Sequence, residues 1–377
     1  MRGCLRYLLF LPVFALFACQ SSNKKDTSRL DTQTKSDTLA TLENDSVKLT
    51  FSLLGGSLID FESKSQKINP FLWKDDGKDS LYNSQKTNIL PQGQFISFNR
   101  WGKPTPGETK QGMPANGELA YNWWKLDQHK KEGSLQMSCE APMDGFSISR
   151  NVALSNTDPL FKVTETITNE NPVGRPNCIV HNICFVAPFF DPALIINSNA
   201  SVGFNQMLES STNIRHEYWW PNAFTDTLKI SSVNISSYST RFSYLSSHIF
   251  RDSVGWVTIY NPRLKLLLGY IWKTTDYPWI HFKNEISFGK PHYQGFAFGN
   301  TGFSDKFSNT ERIASQFHQV KNFEFIDAKS SAIKSWYCFL ISLPNGYEKT
   351  IGIQSSDISI ALKYMSFSGV KDVKLSL

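Results

Sequence analysis

Three stretches of this chain concentrate the side chains that handle protons and polar ligands. The first is Asn99-Arg100-Trp101-Gly102-Lys103-Pro104, running into Gly112-Met113-Pro114-Ala115-Asn116-Gly117-Glu118-Leu119. The second is Val180-His181-Asn182 with the following Phe185 to Pro188, and the third is Tyr277-Pro278-Trp279-Ile280-His281 leading to Gly295-Phe296-Ala297-Phe298-Gly299-Asn300-Thr301. Aromatics, Gly, Pro and amides in this mixture are the composition of loops around a polar-ligand site. The Arg100 guanidinium offers a fixed fork of donors, suited to a vicinal diol, a carboxylate or a loop-stapling ion pair. Trp101 and Trp279, flanked by Pro and polar residues, offer flat apolar faces with a polar edge. Most of Trp123, Trp124, Trp219, Trp220 and Trp272 belong in a core. His181 is a candidate for proton transfer, against the plainer role of a strand histidine bonding a neighbouring backbone. Glu118 and Glu285 supply a carboxylate if their loops fold inward, and are otherwise surface carboxylates. His216 is either a rim contact or an ion-pair partner of Glu217.

Other chemistries are absent from the sequence. No Gly-x-Ser-x-Gly elbow, His-Glu-x-x-His zinc motif or phosphate-cradling Gly-rich loop occurs. Cys178-x2-His181-x2-Cys184 has a metal-like look, yet on one strand the two thiols stand roughly 20 Å apart with His181 facing the opposite side, so neither a metal site nor a bond between them follows. No metal or cofactor is expected. Of the six cysteines, Cys139, Cys178, Cys184 and Cys338 remain in the body of the chain, with three pairings open among them.

The elements that must position these groups are strands. At 40% hydrophobic, 14% aromatic and 19% charged, the 377 residues are too apolar for a disordered chain and too weakly charged for a long coiled coil. Period-two alternation recurs at Val47, Leu49, Phe51 and Leu53; Phe161, Val163 and Ile167; Leu264, Leu266 and Leu268; and Ile358, Ile360 and Leu362. Only short pieces such as Ala314 to Val320 suit a helix. Neither a fixed-period repeat nor an internal linker after residue 45 is present, so the reading is one large all-β sandwich over residues 45–377.

Arg2 and Arg6 precede an apolar run from Tyr7 to Ala18, about the length of a secretory h-region, so residues 1–18 read as a signal peptide. Its end, Leu16-Phe17-Ala18-Cys19, resembles a bacterial lipobox, which makes Cys19 the expected lipidation site. Residues 19–44 then form a polar tether with too little apolar surface to fold. The chain is thus expected outside the cytoplasm, held to an envelope membrane by lipid on its periplasmic or surface side. The formal charge of +6 falls to +4 without Arg2 and Arg6, and with no Lys/Arg cluster elsewhere nucleic acid is not an expected partner.

The three stretches, in this order and spacing over roughly residues 45 to 370, resemble the galactose mutarotase-like superfamily of aldose 1-epimerases and related sugar-binding proteins. The resemblance implies a β-supersandwich of two large antiparallel sheets with a concave face that receives a carbohydrate. It places Arg100, Trp101, Asn116, His181, Trp279 and Asn300 around the sugar. Mutarotation needs one group to take the anomeric proton and another to protonate the ring oxygen. By the same resemblance Asn116 stands where an assisting histidine is expected and Ala297 where a glutamate is expected, with His181 keeping its type. The expectation is a lipid-anchored carbohydrate-binding protein with a degenerate acid/base pair. The rival is an active epimerase using Glu118 or Glu285 with His181, and a third view is a structural envelope lipoprotein.

Overall fold

The computed structural model describes residues 38–72, 74, 91–127, 133–207, 216–226, 231–234, 243–287, 290–304 and 316–377. The expected signal peptide, Cys19 and most of the expected tether lie outside these residues. Nearly every described element is a strand, as the alternation requires.

A ten-stranded antiparallel sheet runs β1 (Leu39–Glu43), β2 (Val47–Ser52), β3 (Ser57–Ser63), β4 (Gln94–Phe98), β10 (Ile179–Phe185), β20 (Lys290–Gly299), β19 (Trp279–Ser287), β16 (Tyr244–Ile249), β12 (Val202–Asn205) and β13 (Glu217–Trp219). An eight-stranded sheet runs β11 (Ile195–Ser198), β17 (Val254–Asn261), β18 (Leu266–Lys273), β22 (Ser331–Ser342), β8 (Leu160–Asn169), β7 (Phe146–Leu154), β6 (Ser134–Ala141) and β5 (Lys125–Leu126). Two small ribbons, β14 (Asn222–Asp226) with β15 (Ser231–Asn234) and β9 (Arg175–Asn177) with β21 (Glu324–Ile326), complete the periphery.

The two large sheets close on a shared apolar core. Leu135, Met137 and Cys139 of β6, Ile148 and Val152 of β7, and Phe161, Val163 and Ile167 of β8 meet Ile96 and Phe98 of β4, Ile179 and Ile183 of β10, and Phe296 and Phe298 of β20. Each such buried side chain contributes about 1.5–3 kcal/mol relative to exposure. Inward positions alternate with outward ones along every strand, so the register of each pairing decides which face a residue serves.

Two expectations change here. Leu39–Glu43 of β1 pairs with β2 (Leu42 opposite Leu49), so these residues of the expected tether belong to the sheet. Partner strand, rather than composition, decides this: a polar segment with alternate apolar residues is accepted as an edge strand. A third layer is also present. β23 (Tyr347–Ser355), β24 (Ser359–Ser366) and β25 (Gly369–Ser376) form a small sheet that buries Ile353, Ile360, Leu362 and Leu375 against Leu160, Trp256, Leu267 and Phe339 on the back of the eight-stranded sheet.

The expected helix at Ala314–Val320 is not formed in its described part, where Phe317 and Val320 make a β-bridge. The α-helix lies instead at α1 (Pro106–Lys110), started by Pro at its first turn and a capping box between Thr105 and Glu108.

Candidate functional site

His181 does not face the outer surface of the ten-stranded sheet. On β10 it pairs with Phe298 and Ile96 and shares the inward face with Ile179, Ile183 and Phe185, so its ring enters the space between the sheets. There Nε2 meets Glu165 Oε2 of β8 at 3.0 Å, and the Tyr277 hydroxyl donates to the same oxygen at 2.9 Å. Arg150 of β7 donates through Nε to Glu165 Oε1 at 2.8 Å and through Nη1 to the Gly56 carbonyl at 2.5 Å. Glu165 is 0% and His181 1% exposed. Burial alone would raise the Glu165 carboxyl, but His181, Arg150 and the hydrogen bonds from His181 and Tyr277 outweigh it and hold the group far below the usual carboxylate range. A Glu–His couple therefore exists, but it is walled in by Phe298 and Trp336 at ring separations of 4.8 and 5.4 Å. No substrate reaches it.

The outer face of the same strands carries the next residue. Asn182 lies opposite Phe95 and Ala297, and Ala297 lies opposite His281. Because Gly295, Ala297 and Gly299 occupy the outward positions of β20, this floor has almost no side-chain bulk at its centre, and polar groups from the neighbouring strands border it. Asn182 Nδ2 donates to Ser97 Oγ at 2.9 Å, and Ser97 donates to Asn116 Oδ1 at 3.0 Å. The Trp101 indole Nε1 donates to Asn182 Oδ1 at 3.0 Å, and its ring lies 4.4 Å from that of His281.

Neighbouring polar groups hold the His281 ring in place. Ser304 N–H donates to Gln206 Oε1 at 2.6 Å, which turns the Gln206 NH2 toward the Gly302 carbonyl at 3.0 Å and Ser247 Oγ at 2.6 Å. Ser247 accepts there and is hydrogen-bonded to His281 Nδ1 at 2.8 Å. The other side of the ring faces the Thr301 backbone, and the neighbouring Thr301 Oγ1 is buried without a hydrogen-bond partner. Burial pushes His281 down to about 3; the Thr301 backbone opposes this and His248 adds to it. At neutral pH the ring is uncharged.

The remaining expected site residues are placed as follows. Arg100 is buried and spent on Glu108 at 2.6 Å and Asp144 at 3.1 Å, so it staples the loop to α1 and the β6–β7 turn instead of presenting its fork. Asn116, at φ 64°, accepts the Gly102 N–H at 3.1 Å and holds the Trp101 loop in place. Trp279 is fully buried among Phe204, Ile249 and Phe317 and donates to the Lys321 carbonyl; it is core, not platform. Asn300 joins strand ends, accepting from Ile179 N–H at 2.7 Å and donating to the Asn177 carbonyl. Glu118 accepts the Met143 N–H at the β6–β7 turn. Glu285 shares the face of His281 but lies about 13 Å further along β19, paired with Lys283. Glu217 pairs with His318 at 2.8 Å. Cys139, Cys178, Cys184 and Cys338 are buried and form no disulfide among the described residues; among the same residues no group of three His, Cys, Asp or Glu is placed to hold a metal ion.

Of the expected set, the fold brings together Trp101 and Asn116 and adds Asn182, His281, Ser97 and Ser247. Asn182 and His281 stand inside the stretches singled out from the sequence, but nothing in their spacing marks them as facing a ligand. Ser247 has no local signal at all. Chemically, the floor offers an amide acceptor, an imidazole, hydroxyls and two aromatic faces, with no carboxylate in contact among the described residues.

No family model and no curated protein matches this chain. Solved structures do. A galactose mutarotase-like protein from Clostridium acetobutylicum aligns at TM-score 0.59 and 11% identity over 80% of this chain and 95% of the other. The Slr1438 protein of Synechocystis aligns at 0.57 and 13% over 81% and 96%, and a galactose mutarotase related enzyme from Lactobacillus acidophilus at 0.55 and 11% over 81% and 97%. With the sheet order and register described above, this likeness establishes that the chain has the galactose mutarotase-like fold.

Proposed function

We propose that this chain is an exported carbohydrate-binding protein, lipid-anchored through Cys19 on the periplasmic or outward side of an envelope membrane, that holds a neutral sugar on its outer-face floor without opening the ring. The observation that carries this reading is the composition of that floor. Asn182, Ser97, Asn116 and Ser247 exchange no proton near neutral pH. His281 is uncharged, and its Nδ1 is occupied by Ser247. Ring opening needs a base and an acid on one ring, and loss of a general base costs about a hundred- to ten-thousand-fold in rate. Binding needs only donors, acceptors and an aromatic face, all of which are present. The sugar is neutral because the nearest guanidinium, Arg100, is already matched by Glu108 and Asp144.

Polarimetry on fresh α-D-glucose and α-D-galactose tests the chemistry: the purified chain leaves mutarotation at the buffer rate while a mono- and oligosaccharide panel shows binding by calorimetry. His281→Phe, which keeps the ring face but removes the ring nitrogens, weakens that binding about tenfold, the worth of one buried hydrogen bond. Rotation decaying faster than in buffer, and slowed by His281 substitution, overturns the binding-only reading. For the anchor, cells fed radiolabelled palmitate label the wild-type chain and not Cys19→Ala; equal labelling of both refutes it.

A further inference from the structure

The floor described above is not empty. Trp101 stands on it, and what the indole does there imitates a bound sugar. Its N–H occupies Asn182 Oδ1 at 3.0 Å, as a hydroxyl would, and its ring lies 4.4 Å from His281, tilted by 52°. The imitation is incomplete. Thr301 Oγ1, beside His281, is buried without a partner, at 2% exposure. Leaving such an atom unmet is costly, and most buried polar groups find a partner. An indole has a single N–H and no acceptor, so it can satisfy Asn182 and nothing else, whereas a ring bearing several hydroxyls can donate to Asn182 and bond other polar groups of the floor as well.

We infer that Trp101 is a built-in occupant of the sugar subsite, and that a sugar binds only when the indole swings out. This rests on the carbohydrate-binding reading and adds to it how access is controlled. The backbone around Trp101 is fixed from both sides. Asn116 accepts the Gly102 N–H and donates its own N–H to the Gly102 carbonyl at 3.0 Å. Ser304 Oγ donates to the Trp101 carbonyl at 3.1 Å, and Arg100 is locked by two carboxylates. The moving part is therefore the indole about its own side-chain torsions, not the loop. Trp101 is partly exposed already, so an outward rotamer meets solvent. Each molecule with the indole in place is unavailable to sugar, and the apparent affinity falls by the available fraction.

The sign of the effect separates this from a platform role. One neutral hydrogen bond and one aromatic contact hold the closed state, so Trp101→Ala binds D-glucose or D-galactose about tenfold more tightly than wild type by calorimetry. His281 also becomes reactive toward diethyl pyrocarbonate, read by peptide mass spectrometry, whereas in wild type it is shielded. Trp101→Phe, which keeps a ring but drops the N–H, falls between the two and carries the same test if the alanine variant does not fold. Wild type binding sugar and Trp101→Ala losing it makes Trp101 a platform, which overturns this inference and leaves the carbohydrate reading standing. No binding by either folded variant, with His281 reactive, overturns both.

Discussion

Glu165→Ala lowers the unfolding free energy by about 3–5 kcal/mol, because it leaves the Arg150 guanidinium buried between the sheets with no counter-charge and takes the shared hydrogen-bond partner from His181 and Tyr277. Typical domain stabilities are about 5–15 kcal/mol, so this single change approaches the whole margin. The reason is geometric: Glu165 receives Arg150 at 2.8 Å, His181 at 3.0 Å and Tyr277 at 2.9 Å, and no water-exposed position is open to any of them. The charged carboxylate also stabilises in a pH-dependent way. Its folded-state pKa is depressed, so its contribution is complete above the unfolded value of about 4.3 and is lost as pH falls through that value toward the folded one. Urea denaturation of the variant at neutral pH is the measurement. A triple Arg150→Met, Glu165→Leu, His181→Phe chain, which removes every charge at once, retains or exceeds parental stability. A Glu165→Ala chain as stable as wild type would refute the closed network, and with it the exclusion of this Glu–His couple from sugar chemistry.

Acid provides the second large effect. Burial pushes His248 down to about 4, against a hydrogen bond with the Ser201 backbone, and it pushes His281 down to about 3. The unfolded chain takes up a proton at each near 6.5, while the folded chain refuses it. Stability from these neutral rings is thus full above about pH 6.5 and declines as pH falls toward 4 and 3, by about 1.4 kcal/mol per pH unit for each ring. Asp60, raised to about 6 by burial and by Glu62, has the opposite sign and is lost as pH rises through that value, so the cleanest readout is a difference. His248→Gln flattens the stability-against-pH slope between about 6 and 4.5 by about 1.4 kcal/mol per unit, and adding His281→Gln doubles the change. Parallel curves for wild type and variants would show that neither ring is held neutral.

Strand patterning made the architecture legible. Val47, Leu49 and Phe51 on β2, and Phe161, Val163 and Ile167 on β8, all lie in the shared core, because a half-buried strand must put every second residue inside. The same stripe held an unread signal. Arg150 stands between Ile148 and Val152, and Glu165 between Val163 and Ile167, each at an inward position; two opposite charges in two inward columns mark a buried pair, and the register places Arg150 directly opposite Glu165. Trp101 and Asn116 were legible as neighbours on the strength of loop composition, whereas Arg100, Trp279 and Asn300 have the same local look and turn out to staple, pack and join strand ends.

The sequence by itself determined an all-β sandwich and the three stretches rich in aromatic and polar residues. What only the tertiary structure decided is which face each residue of β10 serves. Every residue from Ile179 to Phe185 is buried, so apolar and polar residues no longer alternate with the pleat and nothing local fixes its parity. Pairing with β4 and β20 fixes it, and a shift of one residue exchanges the two faces. That is why His181 lies in the core beside Glu165 and Asn182 borders the floor beneath Trp101.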